Sequence, residues 1–163
     1  MGQGSAAFAA AIKANELGIK TVMIGHGATE GAILGGTCIN VGCVPSKRLI
    51  TVSTFLEELR KRRYSGLRYE IGKIEYGKIV AEKDKMVDEL RSQKYTDVLG
   101  ALENITFMDK LGRFEDANTI IAGKKEVHSK NTLIATGARA SVPKIEGIEK
   151  ARYLTKFVIA GPG

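Results

Sequence analysis

The stretch Gly35-Gly36-Thr37-Cys38-Ile39-Asn40-Val41-Gly42-Cys43-Val44-Pro45-Ser46-Lys47 holds both cysteines of the 163-residue chain. Two cysteines so close in sequence cannot scaffold a domain, but four intervening residues bring their sulfurs within bonding distance if the segment coils. Pro45 fits the first turn of a helix starting near Asn40 to Cys43, where a missing amide hydrogen costs nothing. That start places Cys43 in the first turn and leaves Cys38 in the loop before it. A thiolate at Cys43 is favoured by the helix N-terminus, and Lys47, one turn on, adds positive potential. The pair is therefore suited to thiol–disulfide exchange. A zinc half-site is the structural alternative, but the only other soft ligands are His26 and His128, poorly spaced to complete one.

Upstream, Gly2-Gln3-Gly4-Ser5-Ala6-Ala7 runs into Phe8 to Leu17, read as a helix ending at Gly18. Ile19 to Ile24 reads as a buried strand, and glycines mark Gly25 to Gly36 as a loop. Gly2-x-Gly4-x-x-Ala7 fits the dinucleotide fingerprint. Its first glycine makes the turn, the second admits a pyrophosphate, and the small third residue lets helix pack on sheet. Phosphates then sit at a helix N-terminus. Only Met1 stands where the preceding strand belongs, so the motif by itself also reads as an alanine-rich helix cap. The acidic residue expected after the second strand is absent from Ile24-Gly25-His26-Gly27, and the nearest acid is Glu30. His26 is either a substitute polar partner or a loop histidine.

Downstream, the Cys43 helix is expected to reach Arg63, with a break at Tyr64 to Gly72. A long helix follows from Tyr76 to Leu102, with Ile79, Met86, Leu90, Val98 and Leu102 as its apolar stripe. Short strands are expected at Ile105 to Met108, Gly112 to Phe114, Thr119 to Ile121 and Asn131 to Ala135. That order is α/β. The net charge of +7 comes from interspersed charges, and Arg60-Lys61-Arg62-Arg63 reads as a solvated helix end. The aromatic residues are scattered rather than arrayed for base stacking, which argues against nucleic acid as a partner. A basic surface does steer anionic cofactors. No segment has the length of a membrane span, and Ala6 to Ile12 lacks the flanks of a signal peptide. These features point to the cytoplasm, where a structural disulfide is not expected.

Gly35 to Lys47 resembles the active-site signature of the class I pyridine nucleotide–disulfide oxidoreductases. The glycine motif before it and Ala135-Thr136-Gly137-Ala138 after it stand in that family's order. The resemblance implies a Rossmann-like FAD-binding domain over residues 1–163, with a long helix pair and a small additional β-sheet. Within the family, Val44 to Arg48, Arg91 to Val98 and Ala135 to Pro143 are most similar to the mercuric reductase branch; Ser46 argues against glutathione reductases. Dihydrolipoyl dehydrogenase or a related disulfide reductase is the alternative.

By that resemblance Cys43 faces the flavin as the charge-transfer thiolate, Cys38 meets the substrate, and Lys47 lies beside the flavin ring. Gly2, Gly4, Gly36 and Thr37 contact the FAD phosphates, Ala7 packs the motif helix, and Thr136 and Gly137 lie on the adenosine side. In mercuric reductases the same thiolates hold Hg(II) transiently, as soft ligands do. The second cofactor is NADPH or NADH and the full-length form a homodimer; no membrane or nucleic-acid partner is implied. Members of the family are much longer, and Val158 to Gly163 resembles the opening of a second strand-and-glycine motif. The nicotinamide and dimerisation domains are thus expected outside this chain. Alone it is expected to hold FAD weakly and to show no NADPH-dependent reduction of Hg(II) or lipoamide. A non-enzymatic thiol carrier for a soft metal is the rival class: it predicts a colourless protein, the flavoprotein reading a yellow one.

Overall fold

A computed structural model describes residues 1–26, 33–138, 140–151 and 153–155. Glu30 and the Val158 to Gly163 tail lie outside them. The elements are α1 (Ser5–Glu16), β1 (Thr21–Gly25), α2 (Thr37–Asn40), α3 (Cys43–Arg60), α4 (Tyr76–Arg91), a π-helical turn (Ser92–Thr96), α5 (Asp97–Gly100), β2 (Ile105–Asp109), β3 (Gly112–Phe114), β4 (Thr119–Ala122), β5 (Lys125–His128) and a 3₁₀ turn (Ile148–Lys150). They fall into two compact units, Met1–Gly36 with Arg91–Ser141, and Thr37–Leu90 with Val142–Gly163. Mixed helices and small sheets bear out the α/β expectation, long helices and additional sheet included.

In the first unit β1 and β2 pair in parallel, from Thr21↔Ile105 to Gly25↔Asp109. The opposite edge of β1 is met by the first two residues. Gly2 N–H donates to Ile24 C=O at 2.7 Å, Met1 C=O accepts from Ala135 N–H at 2.7 Å, and the Met1 amine donates to Leu133 C=O at 2.6 Å. Met1 thus does one residue's worth of strand between β1 and 133–135. Asn131 to Ala135 is expected as a strand; it forms no regular one, its backbone meeting Met1 through the two bonds just named. Burial lowers the pKa of the Met1 amine from its ordinary value.

β3, β4 and β5 form an antiparallel meander, Gly112↔Ala122 and Thr119↔His128 marking its registers. Its apolar residues Ile120 and Ala122 are buried with Ile24, and Met1, Met108 and Val127 pack around them. β5 escapes a sequence reading because Lys125-Glu126-Val127-His128 offers one apolar residue, half-buried in an otherwise exposed strand. Against the sheet, α1 buries Ala7, Phe8 and Ala11, the spacing of one helical face. It starts at Ser5, inside the glycine motif, and closes where Ile19 N–H reaches Ala14 C=O.

In the second unit α3 ends at Arg60, short of Arg63. Arg62 takes φ +46 just past the helix, and Arg62 N–H donates to Leu59 C=O at 3.3 Å. A left-handed residue with a Cβ carries a steric cost, so Arg62→Gly should stabilise the chain by up to about 1 kcal/mol. A thermal unfolding midpoint that fails to rise would contradict that. The basic block folds back on its own helix: Lys61 and Arg63 pair with Glu58 at 3.0 and 2.9 Å. The hydrogen bond from Lys61 holds the Glu58 carboxyl below its usual range.

The single helix expected from Tyr76 to Leu102 is interrupted by the π turn and ends at Gly100. Its expected stripe also shifts. Lys83 and Val87 are the buried residues of α4, while Ile79, Met86 and Leu90 are half-buried. Lys83 buries its methylene stem, and its ammonium meets Asp84 at 2.6 Å. Arg48 of α3 pairs with Glu82 of α4 at 3.3 Å.

Candidate active site

In the first unit the glycine motif and the Ala135-Thr136-Gly137 turn come together. Gly2 has φ +128, and a Cβ there would overlap the Ala135 carbonyl, with Thr136 N 3.3 Å away. Gly36 lies across the start of α1: a Cβ on it would be 3.1 Å from the Gly4 Cα and 3.4 Å from the Ser5 nitrogen. The helical ladder begins with Phe8 N–H donating to Gly4 C=O at 3.0 Å, so the amides of Ser5 to Ala7 precede it. No acidic residue occupies that first turn. Bare backbone, first-turn amides and the helix dipole suit a pyrophosphate, so this cradle fits the phosphates of FAD. Ala7 is buried, as the third position of the fingerprint requires. Thr136 and Gly137 are exposed beside it.

Tyr95 is a site residue the sequence does not single out. Its ring lies against Gly35, where a Cβ would overlap it, and meets Phe8 edge-on at 4.8 Å between centroids. Its hydroxyl is 3.4 Å from Ser5 Oγ. The π turn presents this buried ring to the start of α1; such turns cannot be read from periodicity. His26 is a paired residue, its Nδ1 3.0 Å from Asp109 Oδ1 at the neighbouring ends of β1 and β2.

In the second unit the cysteine segment coils tightly. Val41 N–H donates to Thr37 C=O at 3.0 Å, and a Cβ on Gly42 would sit 2.8 Å from that same oxygen. Cys38 therefore lies in the short helix α2, not in a loop, and Cys43 is the first residue of α3. Pro45 is fully buried in the first turn. Cys38, Cys43 and Lys47 are exposed, and both thiols are free. The hydrogen bond to Cys43 is the largest cause pushing the Cys38 thiol above its ordinary value; Lys47 pulls weakly the other way.

Since only a thiolate alkylates, Cys38 should react slowly at neutral pH while Cys43 is present. Cys43→Ala removes the acceptor, so Cys38 alkylation by iodoacetamide should begin at lower pH and run several-fold faster at pH 8. An unchanged Cys38 profile would contradict the part Cys43 plays in raising the Cys38 thiol. Among the described residues no three His, Cys, Asp or Glu side chains converge into a metal site. His128 is engaged with Thr119 Oγ1 at 3.1 Å.

A glycine-lined helix start that suits a dinucleotide's phosphates, followed in sequence by two exposed thiols, is the combination expected of a nucleotide-dependent thiol oxidoreductase. Comparison gives the family: the sequence model of the pyridine nucleotide-disulphide oxidoreductases matches residues 1–160, and the chain belongs to that family. Curated relatives include a mercuric reductase of Lysinibacillus sphaericus, 40% identical over 98% of this chain and 28% of the relative. The mercuric reductase of Shewanella putrefaciens is 36% identical over 95% of this chain and 28% of its own length. The chain therefore spans under a third of these relatives. A solved structure, the Cu(II) complex of the HOCl-induced flavoprotein disulfide reductase RclA from Escherichia coli, matches with a TM-score of 0.71 at 26% identity. It covers 93% of this chain and 30% of that one. The resemblance seen in Gly35 to Lys47 and its mercuric reductase leaning agree with these relatives.

Proposed function

We propose that residues 1–163 act as the FAD-binding, thiol-carrying domain of a disulfide oxidoreductase that reduces Hg(II) to Hg(0). The observation that carries this is the pair of free, exposed thiols, Cys38 in α2 and Cys43 at the first residue of α3, on a tightly coiled segment. Similarity to mercuric reductases over nearly the whole chain supports the substrate. FAD, when bound and reduced by the nicotinamide cofactor, would supply the electron pair that opens a Cys38–Cys43 disulfide.

The chain's own residues do the rest. Gly2, Gly4 and Gly36 leave room for the pyrophosphate, Ala7 seats the helix that holds it, and Thr37, next in sequence, is assigned to the phosphates by the family resemblance. Thr136 and Gly137 serve the adenosine side. Cys43 holds the thiolate charge at the helix N-terminus, Lys47 adds positive potential, and Cys38 presents the exchangeable thiol. Two such thiolates suit a soft ion like Hg(II). The electron source is NADPH or NADH, and homodimerisation belongs to the longer protein. A dithiol that cycles through a disulfide is suited to a reducing cytoplasmic compartment. No helix among the described residues is long and apolar enough to cross a membrane.

The test is a flavin titration. FAD fluorescence should be quenched saturably by this chain, and Gly36→Val, which fills the cradle, should weaken binding at least about tenfold. Equal titration curves for the two would overturn the phosphate assignment. Hg(II) should in turn protect both thiols from alkylation at one ion per chain; protection by dihydrolipoamide-derived disulfide alone would favour the lipoamide branch.

A further inference from the structure

β1 ends at Gly25, the place from which a dinucleotide-binding fold ordinarily projects an acid toward the adenosine ribose. Gly25 has no side chain, yet the space one would enter is filled. A Cβ on Gly25 would lie 2.7 Å from Gln3 Cβ and 3.0 Å from Gln3 Oε1. Gln3 sits between the two motif glycines, in the turn tied to β1 by the Gly2–Ile24 hydrogen bond of 2.7 Å. Its Nε2 donates to Ile33 C=O at 3.1 Å. A carbonyl only accepts, so this bond fixes which end of the carboxamide is nitrogen and commits Oε1, the end beside Gly25, as an acceptor.

We infer that Gln3 stands in for the absent ribose acid, its Oε1 accepting a hydrogen bond from a hydroxyl of the adenosine ribose. The inference rests on the flavin reading above. The nearest carboxylate among the paired strand ends, Asp109, is already engaged by His26 at 3.0 Å. A sequence scan for an acid after the strand misses Gln3 because the substitute comes from the motif's own variable position, twenty-two residues earlier. A neutral acceptor makes a weaker bond than a carboxylate, which fits a cradle expected to hold FAD weakly.

The test uses this chain with ADP and 2′,3′-dideoxy-ADP as competitors against FAD, read by recovery of flavin fluorescence. The unaltered chain should prefer ADP about fivefold, the worth of one hydrogen bond. Gln3→Ala should lose that preference while its affinity for dideoxy-ADP stays put. Gly25→Glu alone should weaken both nucleotides by collision with Gln3. Gln3→Gly combined with Gly25→Glu should restore, or exceed, the preference for ADP. Retention of the preference in Gln3→Ala, or an equal loss for both nucleotides, overturns the inference and leaves the flavin site standing. If the unaltered chain binds neither FAD nor ADP, the flavin reading fails and this inference with it.

Discussion

Gly2→Ala is expected to lower the stability of the chain by about 3 kcal/mol, a fall in melting midpoint of about 10 °C, and to remove measurable FAD binding. The residue combines two constraints. Its φ of +128 lies where L side chains are strained, and the new Cβ would run into the Ala135 carbonyl. That obstacle is backbone, not the end of a flexible side chain, so it yields only if the Ala135-Thr136 turn moves. Movement there costs the bonds from the Met1 amine to Leu133 and from Ala135 to Met1, and loosens Gly2 from Ile24. The same turn carries Thr136 and Gly137, so the adenosine side of the cradle would shift with it. Gly66→Ala is the control: a Cβ there meets nothing within 4 Å, and its effect should stay within about 0.5 kcal/mol. Calorimetry and flavin titration on the two variants decide it; equal midpoints would contradict the role given to Gly2.

Glutathione disulfide should convert this chain to an intramolecular disulfide, whereas Cys38→Ser or Cys43→Ser should each stop at a stable mixed disulfide carrying one glutathione. The change is all-or-none because the second thiol, already in hydrogen-bond contact, resolves the first adduct as an intramolecular nucleophile. In Cys43→Ser the remaining Cys38 lacks its resolving partner, and in Cys38→Ser the Cys43 adduct is trapped in turn. Intact-mass spectrometry separates the products. A wild-type chain that accumulates two glutathiones would show that the coil between α2 and α3 does not bring the sulfurs together.

The parts of this protein that were legible in its sequence are those where chemistry restricts residue type. Gly2, Gly36 and the Cys38/Cys43 spacing stand out in the sequence, because close backbone approaches and the proposed exchange pair tolerate few substitutes. Pro45 placed the start of α3 well, since its missing amide is harmless only in a first turn. What was not legible depends on packing. The π turn moves Tyr95 under Gly35 by one extra residue in the helical count, which no periodic pattern carries. Lys83 reads as a surface residue until its stem is seen buried with Asp84 beside its charge. β5 is a strand because β4 pairs with it, not because Lys125 to His128 favours one. The segment Asn131 to Ala135 failed the other way: its residues suit a strand, but among the described residues its backbone makes two bonds to Met1 and forms no ladder.

The most direct test of the whole account is a pair of visible spectra, recorded across a pH titration on Cys38→Ser and Cys43→Ser chains held in saturating FAD. Cys38→Ser keeps the thiol at the start of α3 and should show a long-wavelength thiolate–flavin band that grows in as the pH rises. Cys43→Ser should lack that band throughout, although its flavin absorbs normally. A band that survives in Cys43→Ser and is missing from Cys38→Ser would reverse the two roles. Spectra of free FAD in both variants and in the unaltered chain would contradict the account at its centre.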